Sequence, residues 1–252
     1  MKKVLIIPDQ HFPYNNKTYW DLLMKVGRWW KPDVVVILGD FIDNYSISSH
    51  DKDPNRQFNL GKEIEEARKG LNDVIKLGAK ENVFICGNHE DRLERHLKQF
   101  APQIYTALTA DGKEPTDEMI GISKMGFKYI KYRDDYKIGK MYFTHDVDGI
   151  AGKYAHYRAV DTYHRNIGIG HTHQVGMVIN GDADGDKHIA LMFGWGGDAN
   201  KIDYMHKESV IKNWCLAFGI MYVDETTQHI YPQVIPIVGY RCVVEGKLFD
   251  VI

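Results

Sequence analysis

Apolar residues follow two different rhythms along the chain. In the first third, short continuous apolar runs are separated by segments with a helical period. Lys3 to Pro8 reads as a buried strand and Val34 to Leu38 as a second; between them Thr18 to Trp30 places Trp20, Leu23, Met24, Gly27 and Trp30 on one helical face. After a polar stretch from Ser46 to Gln57, the positions Leu60, Ile64, Ala67, Leu71, Val74 and Ile75 again repeat at helical spacing, and Val83 to Cys86 is a third short strand. Continuous β-branched runs separated by helices predict parallel strands covered on both faces.

The second rhythm is strand after strand. Lys137 to Thr144, Asn166 to Gly170, Val175 to Asn180, His188 to Phe193, Ala217 to Val223 and His229 to Ile235 are strand-like, with one helix, Ala151 to Tyr163, among them. Gly181 to Asp186 and Asp224 to Gln228 predict hairpin turns. A parallel βαβ half followed by an antiparallel half, with no Pro/Gly/Ser-rich linker, predicts an α/β architecture of two sheets face to face with helices outside. We read one domain over residues 1–252, with the irregular, polar stretch 101–126 as an insertion over one sheet edge.

Composition narrows this picture. The 252 residues carry 32 Lys and Arg against 34 Asp and Glu, a net charge of −2, which excludes a protein that grips nucleic acid through a broad basic stripe. The three cysteines, Cys86, Cys215 and Cys242, are odd in number and widely spaced, which fits a reducing compartment better than a disulfide framework. The apolar opening Val4 to Pro8 is too short for a signal peptide or membrane span, so a soluble, cytoplasmic protein without a membrane partner is expected. The 12 histidines are the unusual feature, because of where they fall.

Asp9 and His11 follow the first strand, Asp40 and Asp43 the second, and Asn88 and His89 the third. His145 ends the run to Thr144, and His171 and His173 follow Asn166 to Gly170. Strand exits form the ligand crevice of α/β sheets, so these residues converge. Taken singly, each Asp or Asn could be turn or capping chemistry. Taken together, five exits that all deliver Asp, Asn or His point to metal. Two divalent ions about 3.5–4 Å apart need a shared oxyanion ligand, and Asp40 is the natural bridge. Imidazole and oxygen donors without thiolate suit Mn²⁺, Fe²⁺, Zn²⁺ or Ni²⁺, with manganese preferred here. Cys86 reads as core.

These blocks, D-x-H (Asp9, His11), GDxxD (Gly39, Asp40, Asp43), GNHE (Gly87 to Glu90), the lone His145 and GHTH (Gly170 to His173), resemble in order and spacing those of the calcineurin-like metallophosphoesterases, over residues 4 to 173. The resemblance implies a four-layer α/β/β/α sandwich and a dinuclear centre. By similarity one metal would be held by Asp9, His11, Asp40 and His173, the other by Asp40, Asn88, His145 and His171, and His89 would be the general acid with Asp43 as its orienting carboxylate. NYSISSHDKDP and GNHEDRLERHL are similar to stretches of small phage- and prophage-encoded members.

Two positions depart from that family. Asn44 stands where many of its protein phosphatases carry an Arg, so one phosphate-clamping guanidinium is missing, and Asp146 replaces the Gly that usually follows the fourth-block His; we read Asp146 as a turn residue. Arg92, one helical turn after His89, is either a substrate contact or a partner of Glu94 or Asp91. Asn44, Arg92 and Trp195 are the candidate substrate contacts, with Trp195 and Trp214 either base-stacking rings or sheet packing. The expected chemistry is in-line attack on phosphorus by a hydroxide bridging two metals, with His89 protonating the leaving alkoxide. The missing Arg favours a phosphodiesterase or nuclease acting on nucleic acid or a nucleotide. A phosphomonoesterase, including a Ser/Thr phosphoprotein phosphatase, is the alternative, and a silent metal-binding scaffold is disfavoured because every ligand is present.

Overall fold

A computed structural model of the chain describes residues 1–49, 52, 59–147, 150, 152–181, 183–201 and 212–251. Most of the polar stretch 46–57, the start of the expected 151–163 helix and one residue of the 181–186 turn lie outside the described residues.

The first half alternates as its rhythm predicts: β1 (Lys2–Ile7), α1 (Lys17–Trp30), β2 (Val34–Ile37), α2 (Leu60–Ile75) and β3 (Glu81–Ile85), followed by α3 (Asp91–Phe100). Asn16 and Asn59 start α1 and α2 as N-caps, their side chains accepting from Tyr19 N and Lys62 N. β1, β2 and β3 pair in parallel, and β4 (Phe127–Ile130) extends that parallel set. Along β1 the side chains alternate between two cores: Leu5 and Ile7 pack under Leu22, Trp30 and Leu71 of the helices, while Val4 and Ile6 face the other way. That is why the run is apolar throughout rather than alternating.

Between α3 and β4 lie α4 (Pro102–Thr109) and α5 (Pro115–Ile120). The remaining elements are β5 (Tyr136–Ile138), β6 (Met141–Thr144), α6 (Ala155–Tyr163), β7 (Ile167–Ile169), β8 (Val175–Gly181), β9 (Lys187–Phe193), β10 (Ala217–Val223), β11 (Ile230–Pro236), β12 (Cys242–Val244) and β13 (Lys247–Phe249). β5 to β9 form a second sheet in the order β5-β6-β7-β9-β8, with β6, β7 and β9 parallel to one another. Its Phe143, Leu191 and Phe193 meet Val4, Ile6, Val36 and Val83 of the first sheet in the middle core. Its outer face is covered by Ala155, Ala159 and Val160 of α6. The layering is therefore α/β/β/α, as the resemblance implies. No helix among the described residues is long and apolar enough to cross a membrane.

Three expectations are corrected. β10 and β11 do not join the second sheet: β10 pairs antiparallel with β1, giving the first sheet the order β11-β10-β1-β2-β3-β4. β10 is apolar on both sides, and beside β1 it buries Phe218 and Ile220 under the helix layer and Met221 and Val223 in the middle core. Lys137 to Thr144 is two strands, broken at Gly139 and Lys140 with Gly139 at φ +56°. The stretch 101–126 is helical: α4 and α5 each begin with proline, which fixes φ for the first turn, and Gly121 ends α5 in the left-handed region.

Candidate metal centre

The loops after β1, β2 and β3 leave the sheet side by side. Gln10 N and His11 N both donate to Asp40 O at 2.9 Å, and Leu38 N donates to Ile7 O at 2.8 Å, which ties the first two exits together. Gly39 and Gly87 allow the close approach: a Cβ on Gly39 would collide with the His145 ring, and one on Gly87 with the Asp40 carboxylate. The second sheet brings His145, after β6, and His171 and His173, after β7, to the same place. His11, Asp40, His171 and His173 all adopt left-handed backbone, with φ of +56°, +45°, +61° and +57°. For residues other than glycine this is strain of about 1–2 kcal/mol each, a pattern common at functional sites.

The side chains form three overlapping groups of metal-ligating atoms: Asp9, His11 and His173; His11, Asp40 and His89; and Asp40, His145 and His171. His173 Nε2 lies 3.2 Å from Asp9 Oδ2 and 3.1 Å from His11 Nε2. On the other side His145 Nε2 lies 3.3 Å from Asp40 Oδ2 and 3.1 Å from Asn88 Oδ1. Asp40 thus stands between the two sides. The far nitrogens are held from behind: His11 Nδ1 by Asp43 Oδ2 at 3.1 Å and His145 Nδ1 by Leu38 O at 2.8 Å. Such hydrogen bonds fix the tautomer and turn Nε2 inward, the arrangement that metal-bound imidazoles require.

These residues fit two divalent cations. Asp9, Asp40 and Asp43 are fully or almost fully buried, and burial of carboxylates demands compensating positive charge. Burial pushes the Asp40 carboxyl up, but His145 and His89 beside it hold it well below the usual range. Burial pulls His145 down, yet the Asp40 and Asp9 carboxylates raise it to about 10. His145, and His11 raised in the same way by Asp43, thus hold protons that a cation taken up beside them would displace. The N and O donors suit borderline to hard divalent ions.

His89 sits 5% exposed at the rim of this centre. Its Nδ1 faces Asp43 O at 2.9 Å and Asp43 Oδ2 only at 3.6 Å, so the expected partnership runs chiefly through the backbone carbonyl while the Asp43 carboxylate serves His11. Arg92 turns inward and does not pair with Glu94 or Asp91. It donates to Asp43 O at 2.8 Å and from Nη2 to His89 Nε2 at 2.9 Å. Burial pulls the His89 imidazole down to about 3 against the pull of Asp40 and Asp43. Asn44 donates its side-chain N–H to His89 O at 2.9 Å, so its amide braces the loop. Trp195 is 3% exposed and stacks on His173 with centroids 4.8 Å apart and planes 14° apart, with Trp214 edge-on to both. This is packing against a ligand candidate. Asp146 accepts from Tyr132 Oη at 2.7 Å.

Sequence reasoning missed Glu90. Its fully buried carboxylate accepts from Asp40 N, Phe41 N, Ile42 N and Gly87 N at 2.7–3.0 Å and so anchors two of the strand exits to each other. Burial, then Asp40, push its pKa up to about 7. Glu63 does the same for the next turn, accepting from Tyr45 N and Ser46 N. A charged residue ahead of an amphipathic helix carries no signal that it points into the core.

No family model matches the chain. Among curated proteins the gene 54 protein of Mycobacterium phage L5 is similar at 24% identity over 263 aligned positions, covering 99% of each chain, which agrees with the likeness to phage-encoded proteins. Among solved structures, a single mutant of Vps29 from Entamoeba histolytica aligns with TM-score 0.46 and 13% identity over 98% of this chain and 95% of that one. A dimetal phosphatase from Danio rerio aligns with TM-score 0.44 and 11% identity over 93% of this chain and 95% of that one.

Proposed function

We propose that the chain is one dinuclear metal-dependent phosphoesterase domain of the calcineurin-like kind, cleaving a phosphodiester in nucleic acid or a nucleotide. The observation that carries this reading is Asp40: a buried carboxylate between two clusters of inward-facing imidazoles, at the convergence of five strand exits. Asp9, His11, Asp40 and His173 would hold one ion and Asp40, Asn88, His145 and His171 the other. Two divalent ions, manganese first among Mn²⁺, Fe²⁺, Zn²⁺ and Ni²⁺, supply a lowered water pKa and neutralise phosphate oxygens.

The chain's own groups do the rest. Asp43 holds His11 by Nδ1, and the Asp43 carbonyl holds His89 Nδ1–H. His89 is thereby aimed with Nε2 toward the rim; neutral in the free protein, it would take up a proton at Nε2 beside the arriving phosphate and pass it to the leaving oxygen. Arg92 is the guanidinium beside it, and the arriving phosphate draws Arg92 away from His89 Nε2. Asn44 adds no charge, and one guanidinium suits the single charge of a diester.

The test is metal-depleted protein reconstituted with Mn²⁺ and assayed on bis-p-nitrophenyl phosphate and p-nitrophenyl phosphate. Two equivalents bound and preferential diester turnover are expected; a wide preference for the monoester would favour the phosphatase alternative, and no turnover at all would refute the enzyme reading. His89→Asn should lower kcat by about 10²–10⁴ with metal content unchanged.

A further inference from the structure

The phosphodiester reading leaves unexplained the surface beside Asn88. A cavity of about 230 Å³ opens there, and it is lined by the guanidinium-bearing Arg92, Arg95 and Arg133 together with Tyr132. Among the described residues, the one carboxylate in its wall is Asp91, which pairs with Arg95 at 2.7 Å. Arg95 also donates to Asn88 O at 3.0 Å, which places it against the backbone of a proposed ligand. Arg133 enters from the loop after β4 in left-handed backbone, φ +74°, with its guanidinium 5.3 Å from the Tyr132 ring centre. In a chain of net charge −2, this is a local excess of positive charge directly beside the proposed reaction site.

A second cavity, about 530 Å³, shares Ser49, Arg92 and Arg95 with the first and runs along α3 to His96 and Phe100. These two rings lie 4.8 Å apart, and Phe100 is 66% exposed. A large apolar ring so exposed, at the end of an arginine-lined groove, adds little to the core of the fold. Guanidiniums fit phosphate oxygens through paired N–H groups, and exposed aromatic rings stack bases of any identity. The two chemistries in sequence match a nucleic-acid single strand: phosphates at Arg133, Arg95 and Arg92, a base on His96 and Phe100.

We propose that this α3 groove is a single-strand track that receives the nucleotides flanking the scissile diester. The proposal rests on the phosphodiester reading and narrows it from any diester to an oligonucleotide. A small diester such as bis-p-nitrophenyl phosphate reaches only the centre and does not extend into the groove.

Binding of fluorescently labelled octathymidylate to the full chain, measured by anisotropy in EDTA across a salt series, reads the groove apart from catalysis. The slope of log Kd against log salt should shrink by about 1.4 for the double variant R95Q/R133Q, about 0.7 for each phosphate no longer neutralised. R133Q alone should shift it by about half as much, and Phe100→Ala should weaken binding about fivefold or more without changing the slope. Lys80→Gln, at the opposite end of β3, is the control and should change neither. With metal restored, R95Q/R133Q should lower the ratio of kcat/KM on the oligonucleotide to that on bis-p-nitrophenyl phosphate at least about tenfold. An unchanged slope and an unchanged ratio in variants that melt like the parent overturn the track, as would tighter binding of the same sequence as duplex. Absence of diester turnover in the parent protein would instead refute the activity reading, while the EDTA series still decides the groove.

Discussion

The two sides of the metal centre are held in different ways. On the GDFID side most of the positioning is separated from ligation: Glu90 takes four backbone N–H groups and lies behind the loop, while Asp40 faces inward and takes one, His89 N at 2.9 Å. On the GHTH side the same residue does both. Asp9 accepts from His171 N at 3.0 Å and is itself among the proposed ligands, while Trp195 packs on His173 and Cys215 N donates to His173 O at 2.9 Å. Where one carboxylate both braces and ligates, its loss should remove metal and loosen the turn together. Where the tasks are divided, the two losses should separate.

The largest effect should come from the residue the two sides share. Asp40→Asn should remove both ions together and cut turnover by about 10³-fold or more, read by metal analysis and steady-state kinetics; retention of one full equivalent would show that the sides are independent. Next, Glu90→Gln should cost about 3 kcal/mol of stability, since a buried charged acceptor is replaced by an amide that must face one or more N–H groups with its own. For a chain of this length that is a fall of about 6–12 °C in Tm. Saturating Mn²⁺ should restore most of its activity, whereas Asp9→Asn should stay inactive at any metal concentration; identical behaviour of the two would erase the distinction. The smallest effect belongs to Asp43→Asn, whose carboxylate braces His11 at 3.1 Å and lies 3.4 Å from Arg92: metal affinity should drop about 10–100-fold by titration calorimetry, with kcat at saturation changed far less.

Much of this was legible in the residues alone. The strand exits could be read because a buried strand must end where its apolar run ends, and the residues just beyond it in β1, β2 and β3 are the ones that converge. Pairing partners are another matter. The run Ala217 to Val223 looks the same whether it joins one sheet or the other, because periodicity records how a strand is covered and not which neighbour it pairs with. The helices within 101–126 were hidden because both are short and α4 is mostly exposed, so no apolar face repeats long enough to see, although Pro102 and Pro115 marked both starts. The role of Glu90 and the inward turn of Arg92, which the sequence offered as a substrate contact or a partner of Glu94 or Asp91, were hidden for a sharper reason. Each acts on main-chain atoms, Glu90 on N–H groups and Arg92 on the Asp43 carbonyl, and main-chain partners leave no trace in residue identity.

The left-handed backbone at His11, Asp40, His171 and His173 bears on how such a site is lost over generations. Glycine adopts that conformation without penalty, and asparagine tolerates it better than most residues. A drift from His171 to either would relax the chain locally while deleting a ligand. Selection for stability alone therefore pushes these positions away from chemistry, and the scaffold would survive the change with its layers intact. Side chains kept at all four strained positions are what the proposed metal chemistry requires, and stability alone would not choose them.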